Sequence, residues 1–287
     1  INKEEDLVCN VEKSIDDETI IWLLVGKVIA DHKNAEKYVN IMLSYIQKRG
    51  ASFENNLRRV VINSLKNAIE NGTEVKMIFE LIFIVRRLYE AKVLNEKDFD
   101  LNLGNRLLPA TFIDIVKTTN RAPFKVFNNN FDALAENEFD IHKQLCHNGV
   151  NPDDIYQLIR SDNLKEFDSI TSTTTNSDNA EDANAAFDYN KENYMKSAYE
   201  RCTYVNNDFM CYVDISAFFG SVNIFKYLIN DKKARLTSKT VHYAIASGNK
   251  EIIEICEKNN LSFDGTLTEA IQFHQFECVR SERLLFF

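Results

Sequence analysis

The chain has 287 residues, 45% of them hydrophobic, and a formal net charge of −9. That length allows two domains or one continuous array of helices, and the acidic balance argues against a nucleic-acid binder, which needs clustered Lys and Arg to neutralise phosphates. Three prolines and eight glycines disfavour a sandwich or barrel with many tight turns.

Residues 1–13 are charged and read as an approach to the first helix. Asp16 or Asp17 is placed to N-cap a helix running through Trp22 to Ile29. Asn34 opens the next, with Tyr38, Ile41, Met42 and Tyr45 at helical spacing up to Gly50. Ser52 is expected to cap a third helix that buries Leu57, Val61, Leu65 and Ile69. Thr73 is expected to cap a fourth, from Glu74 to Val93, apolar on most sides and so central to its domain. Gly50 and Gly72 fall just past helix ends, where a left-handed residue is wanted. The pairs Arg58-Arg59 and Arg86-Arg87 read as solvated faces of these helices. Four helices with short turns predict an antiparallel bundle or the start of a helical repeat. A short helix holding Phe112, Ile113 and Val116 follows between Pro109 and Pro123, and Asn128-Asn129-Asn130 marks a loop.

The division is expected near residue 140: a helical domain over 1–140, then a repeat region over 141–287 with a flexible insertion at 171–207. The run from Thr171 to Asn179 has no periodicity and too little apolar content to offset its ordering entropy.

The repeat shows in two turn glycines, Gly220 and Gly248, 28 residues apart, each between two helical segments. A third copy without its glycine centres on His274, 26 residues further on, and Ile155 to Ile170 is a degenerate first copy. Five residues past each turn stands an apolar side chain: Phe167, Phe225, Ile253 and Val279. One helix pair cannot bury such a face alone, so neighbouring pairs must stack.

These residues resemble the ankyrin repeat. Its threonine-proline-leucine-histidine box, alanines and glycine fall on Lys239-Thr240-Val241-His242, Ala244-Ile245 and Gly248, with identity at His242, Ala244 and Gly248. Every copy lacks the proline, and Asp214 and Thr268 stand in the histidine place. Together with Ala217 to Ser221, Ser247 to Ile253, Asn260 to Leu267 and His142 to Asp153, the pattern is similar to the divergent ankyrin-repeat proteins of trichomonad-like protists, which carry a domain of unknown function. The fold implied is all-α, a helical N-terminal domain followed by a short degenerate ankyrin-repeat solenoid. The resemblance implies that residues just before each turn face a concave surface: Phe218-Phe219, Ala246-Ser247 and Gln272-Phe273. Asn207, Asp208, Met210, Ser238 and Asp264 would sit on its fingertips. Exposed aromatics in a groove suit protein recognition; the competing reading packs Phe218 and Phe219 under the 171–207 insertion or the N-terminal helices.

Chemistry-bearing patterns are sparse. The acids from Asp178 to Asp188 lack the glycine and ligand spacing of a calcium loop. His142 and Cys146 share a helix face without a second ligand pair for zinc. His242 matches the repeat's structural histidine, whose ring would hydrogen-bond loop backbone. Cys202 and Cys211 have no adjacent base in sequence to activate them. No phosphate-cradling loop or nucleophile elbow appears. No metal or cofactor is expected. The six cysteines lack paired spacing, and there is neither a leader-like segment nor a long uncharged apolar run, which fits a reduced, cytoplasmic protein. A start at Ile1 and the apolar Leu284-Leu285-Phe286-Phe287 read as a portion of a longer protein. The expectation is a non-catalytic scaffold or adaptor for protein partners, binding neither nucleic acid nor membrane. The alternative is a structural component of a large cytoskeletal or flagellar assembly.

Overall fold

The computed structural model describes residues 15–70, 78–98, 108, 111–116, 136–173, 197, 199–202, 204–205 and 210–280. The protein is all-α: 14 α-helices and no strand occur among the described residues. The chain divides into two compact units, Ile1–Val150 with Arg201–Thr203, and Asn151–Glu200 with Tyr204–Phe287. The insertion's central run at 174–196, the Gly72-Thr73 turn, Pro109, Pro123, Asn128 to Asn130 and Leu284 to Phe287 lie outside the described residues.

Unit 1 contains α1 (Asp17–Ala30), α2 (Ala35–Arg49), α3 (Ala51–Glu70), α4 (Ile78–Glu90), α5 (Ile113–Val116) and α6 (Asp140–Asn148). Asp16 caps α1 by accepting the Thr19 backbone N–H at 2.9 Å. Between α2 and α3 the break is Gly50 alone, at φ 74°, and α3 begins at Ala51. Ser52 therefore lies within the first turn of α3 instead of capping it, because the left-handed glycine already turns the chain. Helix α4 is central: every residue from Ile78 to Leu88 is buried. It packs on α2, α3 and α6, while α1 packs on α2 and α3.

Unit 2 is a series of helix pairs: α7 (Asp154–Arg160) with α8 (Leu164–Thr173), α9 (Tyr212–Phe219) with α10 (Val222–Asn230), α11 (Ser238–Ser247) with α12 (Lys250–Lys258), and α13 (Leu267–Gln272) with α14 (Phe276–Arg280). First helices pack in the order α7, α9, α11, α13, and second helices in the order α8, α10, α12. Helix α8 runs on to Thr173, so the start of the low-complexity run is helical; the Thr171 hydroxyl bonds the Phe167 carbonyl at 2.8 Å inside the unit.

Each pair turns on one left-handed residue. Gly220 and Gly248 have φ of 66° and 65°, and the two non-glycine copies adopt the same conformation, Asp162 at 54° and His274 at 56°. The residue after the turn then reaches back to the preceding first helix. Ser221 Oγ donates to the Ile159 carbonyl at 2.5 Å, Asn249 Nδ2 to Gly220 O at 3.3 Å, and Gln275 Nε2 to Ala246 O at 3.3 Å. Those carbonyls lie at helix C-termini, where the helix supplies no partner of its own.

A side chain in the left-handed region costs about 1–2 kcal/mol, against a smaller entropic cost for glycine. His274→Gly is expected to raise stability by ~0.5–1 kcal/mol. Gly248→Ala is expected to lower it by at least ~1 kcal/mol, because the added methyl also strikes the Gln275 amide. Urea unfolding of the two variants checks the opposite signs.

Candidate functional site

The residues expected on an exposed groove are mostly core. Phe218, Phe219, Ala246, Phe273 and Met210 are buried, Ser247 and Gln272 are half-buried, and Ser238 and Asp264 are exposed. Asn207 and Asp208 lie outside the described residues. All eight residues of α9 are buried, so its inward face has no opening for a partner. What fills it is the chain itself. The Tyr204 ring stacks on Phe218 with centroids 5.6 Å apart, and meets Tyr243 and Phe273 edge-on at 5.8 and 5.3 Å. One aromatic from each of three successive pairs thus converges on a single tyrosine. Phe219 packs on the other side, edge-on to Tyr156 at 5.2 Å and beneath the Arg160 guanidinium at 4.8 Å. The exposed-aromatic groove is therefore corrected to an occupied one, and for Phe218 the competing reading holds, since Tyr204 belongs to the 171–207 insertion. Aromatic area at these positions goes into edge-to-face packing within unit 2.

The histidine-place residues link neighbouring pairs. The Asp214 carboxylate accepts from Thr240 Oγ1 at 2.7 Å and from the Cys211 thiol at 2.8 Å, and Thr240 Oγ1 accepts the Thr237 N–H at 3.0 Å. One pair further on, His242 Nδ1 lies 3.1 Å from the Glu269 carboxylate. The His242 partner is therefore a carboxylate of the next first helix, where a loop-backbone bond was expected. Burial pushes the thiols of Cys211 and Cys256 up to about 12, so both stay protonated and unreactive.

What does remain open on unit 2 is its last pair. Leu267 and Ile271, one turn apart on α13, are 45% and 55% exposed, and Phe276 on α14 is 56% exposed.

Unit 1 holds a polar cluster that sequence reading placed on solvent. Arg86 and Arg87 are 3% and 8% exposed. The Arg86 fork grips Asp114 through Nη1 at 2.7 Å and Nη2 at 2.9 Å, while Nε donates to Glu90 at 2.9 Å and Nη1 to the Thr111 carbonyl at 3.1 Å. His142 and Cys146 join on the same carbonyl, at 3.2 and 3.6 Å. Burial lowers the His142 pKa against the Asp114 charge and pushes the Cys146 thiol up to about 12, giving a neutral imidazole beside a protonated thiol. Among the described residues no group of three or more His, Cys, Asp or Glu is arranged to hold a metal ion. No described helix is long and apolar enough to cross a membrane.

The fold defines a helix-pair protein, and the comparisons narrow that class at one end. Residues 232–281, which contain α11 to α14, match the family described as a domain of unknown function (DUF3447), a domain found in ankyrin-repeat proteins. No curated protein and no solved structure matches the chain.

Two measurements follow. Asp114→Ala leaves the buried Arg86 charge without its bidentate partner and is expected to cost ~3 kcal/mol or more, read from chemical denaturation of unit 1. Burial raises the Asp214 pKa above its usual 3.8, outweighing the Cys211 and Thr240 hydrogen bonds that lower it. The folded state therefore holds this proton more tightly than the unfolded chain. Asp214's contribution is complete below pH 3.8 and declines as pH rises through the raised value. Asp214→Asn keeps an acceptor for Thr240 and removes the titration, so its stability should gain on the wild type as pH rises. A pH-independent difference between their urea midpoints would refute the assignment.

Proposed function

We propose that the protein is a non-catalytic scaffold that binds a protein partner through a degenerate ankyrin-type solenoid. The observation carrying this reading is the exposure of three large apolar side chains, Leu267, Ile271 and Phe276, on the last described helix pair. Three features support the solenoid: the four left-handed turns, the reach-back hydrogen bonds between them, and a terminal match to a domain found in ankyrin-repeat proteins. Within unit 2 each first helix is covered by the next first helix. By continuity, the partner surface is an apolar helical face that stacks on α13 as the next pair would. Tyr204 occupies the inward groove, so recognition passes to this end and to the exposed fingertip residues Ser238 and Asp264.

The test is crosslinking mass spectrometry in native lysate, comparing the wild type with a Leu267→Ser/Ile271→Ser variant. Both side chains are already solvated, so the substitutions should shift stability by no more than ~0.5 kcal/mol. Crosslinks from Lys239, Lys250 and Lys258 to one recurrent partner are expected in the wild type and lost in the variant. A partner set that survives the substitutions defeats the assignment. Crosslinks spread along α1 to α4 onto filament proteins, with retention in the insoluble fraction after salt extraction, would instead assign a structural role in a cytoskeletal lattice.

A further inference from the structure

We propose that the cleft between α4 and α6 in unit 1 binds an anion, a phosphate or carboxylate group, with Arg87 as its principal ligand. The cleft measures about 700 Å³ and is lined by Arg87, Glu90, Lys143, Gln144, His147 and Asn148, among others. Leu43 and Ala91 supply an apolar part of its wall, suited to the methylenes that carry such a group. Lys143 and His147, and Gln144 and Asn148, stand four residues apart on α6, so neighbouring rows of one helix present two basic side chains and two amides.

The two adjacent arginines differ in how completely they are bonded. Arg86 makes four hydrogen bonds of 2.7–3.1 Å, two of them a bidentate grip on Asp114. Its role is structural and complete. Arg87 is more than nine-tenths buried, yet its Nε has no hydrogen-bond partner. Its carboxylate contacts are long: 3.3 Å to Glu90 and 3.4 Å to Glu36, the latter 59% exposed. The short contact it does make is from Nη1 to the His147 ring, 2.6 Å from Nε2, which carries no formal negative charge to offset the guanidinium. Glu90 cannot neutralise this group alone, because the same carboxylate serves Arg86 at 2.9 Å and His147 at 2.9 Å. Lys143, on the rim, pairs among the described residues with Asp140 at 3.5 Å. A buried guanidinium is stabilised by short bidentate bonds to an oxyanion. An incoming phosphate or carboxylate would replace the distant Glu36 contact and recruit Lys143, His147 and the Gln144 and Asn148 amides.

Calorimetric titration of the full chain with inorganic phosphate and with succinate, against chloride at matched ionic strength, tests the site. Saturable binding of at least one probe at millimolar concentration is expected. Lys143→Ala, at an exposed position, should weaken it about tenfold. Arg87→Lys, which keeps the charge and removes the fork, should weaken it further, with circular dichroism confirming that both variants fold. Preference for phosphate identifies a phosphorylated ligand, and preference for succinate identifies an acidic one; either supports the site. Absence of saturable binding by both probes, or binding indifferent to both substitutions, overturns it. The probes are small and the site lies in unit 1, so the result is independent of the partner surface proposed on unit 2.

Discussion

Unit 2 depends on a backbone constraint at four places, a residue with φ of 54–66° between paired helices, followed at three of them by a side chain that returns to the pair before. A left-handed residue reverses the chain while leaving the first helix's last carbonyls without intrahelical partners. At three turns those carbonyls are met by Ser221, Asn249 and Gln275, each one residue past a turn. At the first, the Asp162 carboxylate accepts the Asn223 and Ile224 N–H groups at 3.1 and 3.0 Å, capping α10, the second helix of the next pair. The same position thus turns the chain and fixes the register of one pair on the next. Apolar contacts alone would tolerate sliding; directional bonds at the turn do not.

With register fixed, the inward residues of successive first helices fall opposite one another, and their size decides what the groove can be. Phe218, Tyr243 and Phe273 are large enough to meet around one more ring, and Tyr204 supplies it. Small residues there would have left a channel. Each aromatic brings apolar area from water at about 25 cal/mol per Å². The inward face is thereby committed to stability.

How much of this could be read from the sequence depends on the range of each interaction. Gly220 and Gly248 announce their turns because glycine is the residue for that conformation, and the apolar step to Phe225 and Ile253 confirms the helix behind them. The turn at His274 was legible only by spacing, since histidine carries no left-handed signal of its own. For Phe218 the sequence offered two readings, an open groove or cover by the 171–207 insertion, and could not choose between them. A groove aromatic and a core aromatic have the same periodicity, and the difference lies in Tyr204, which belongs to the insertion and not to the repeat. Arg86 and Arg87 failed for a similar reason. Charged pairs on a helix are ordinarily solvated, and what buries Arg86 is Asp114 on a four-residue helix 28 positions away. His242 matched a repeat position, yet its partner Glu269 comes from the next copy.

The two arginines show why burial is a poor guide to role unless partners are counted. Desolvating a guanidinium is costly, so a structure that buries one must return the lost hydration as short, directed bonds. Around Arg86 that return is full: two carboxylates and a carbonyl converge on it, and its cation rests 5.4 Å from the Phe112 ring. Around Arg87, one helical position on, the same cost is met only by a shared carboxylate, a distant exposed one and a histidine. Folding stability alone would favour an apolar residue at that place. A guanidinium kept there under-bonded, at the edge of a cleft whose other wall carries Lys143 and His147, has its remaining bonds supplied from outside the chain.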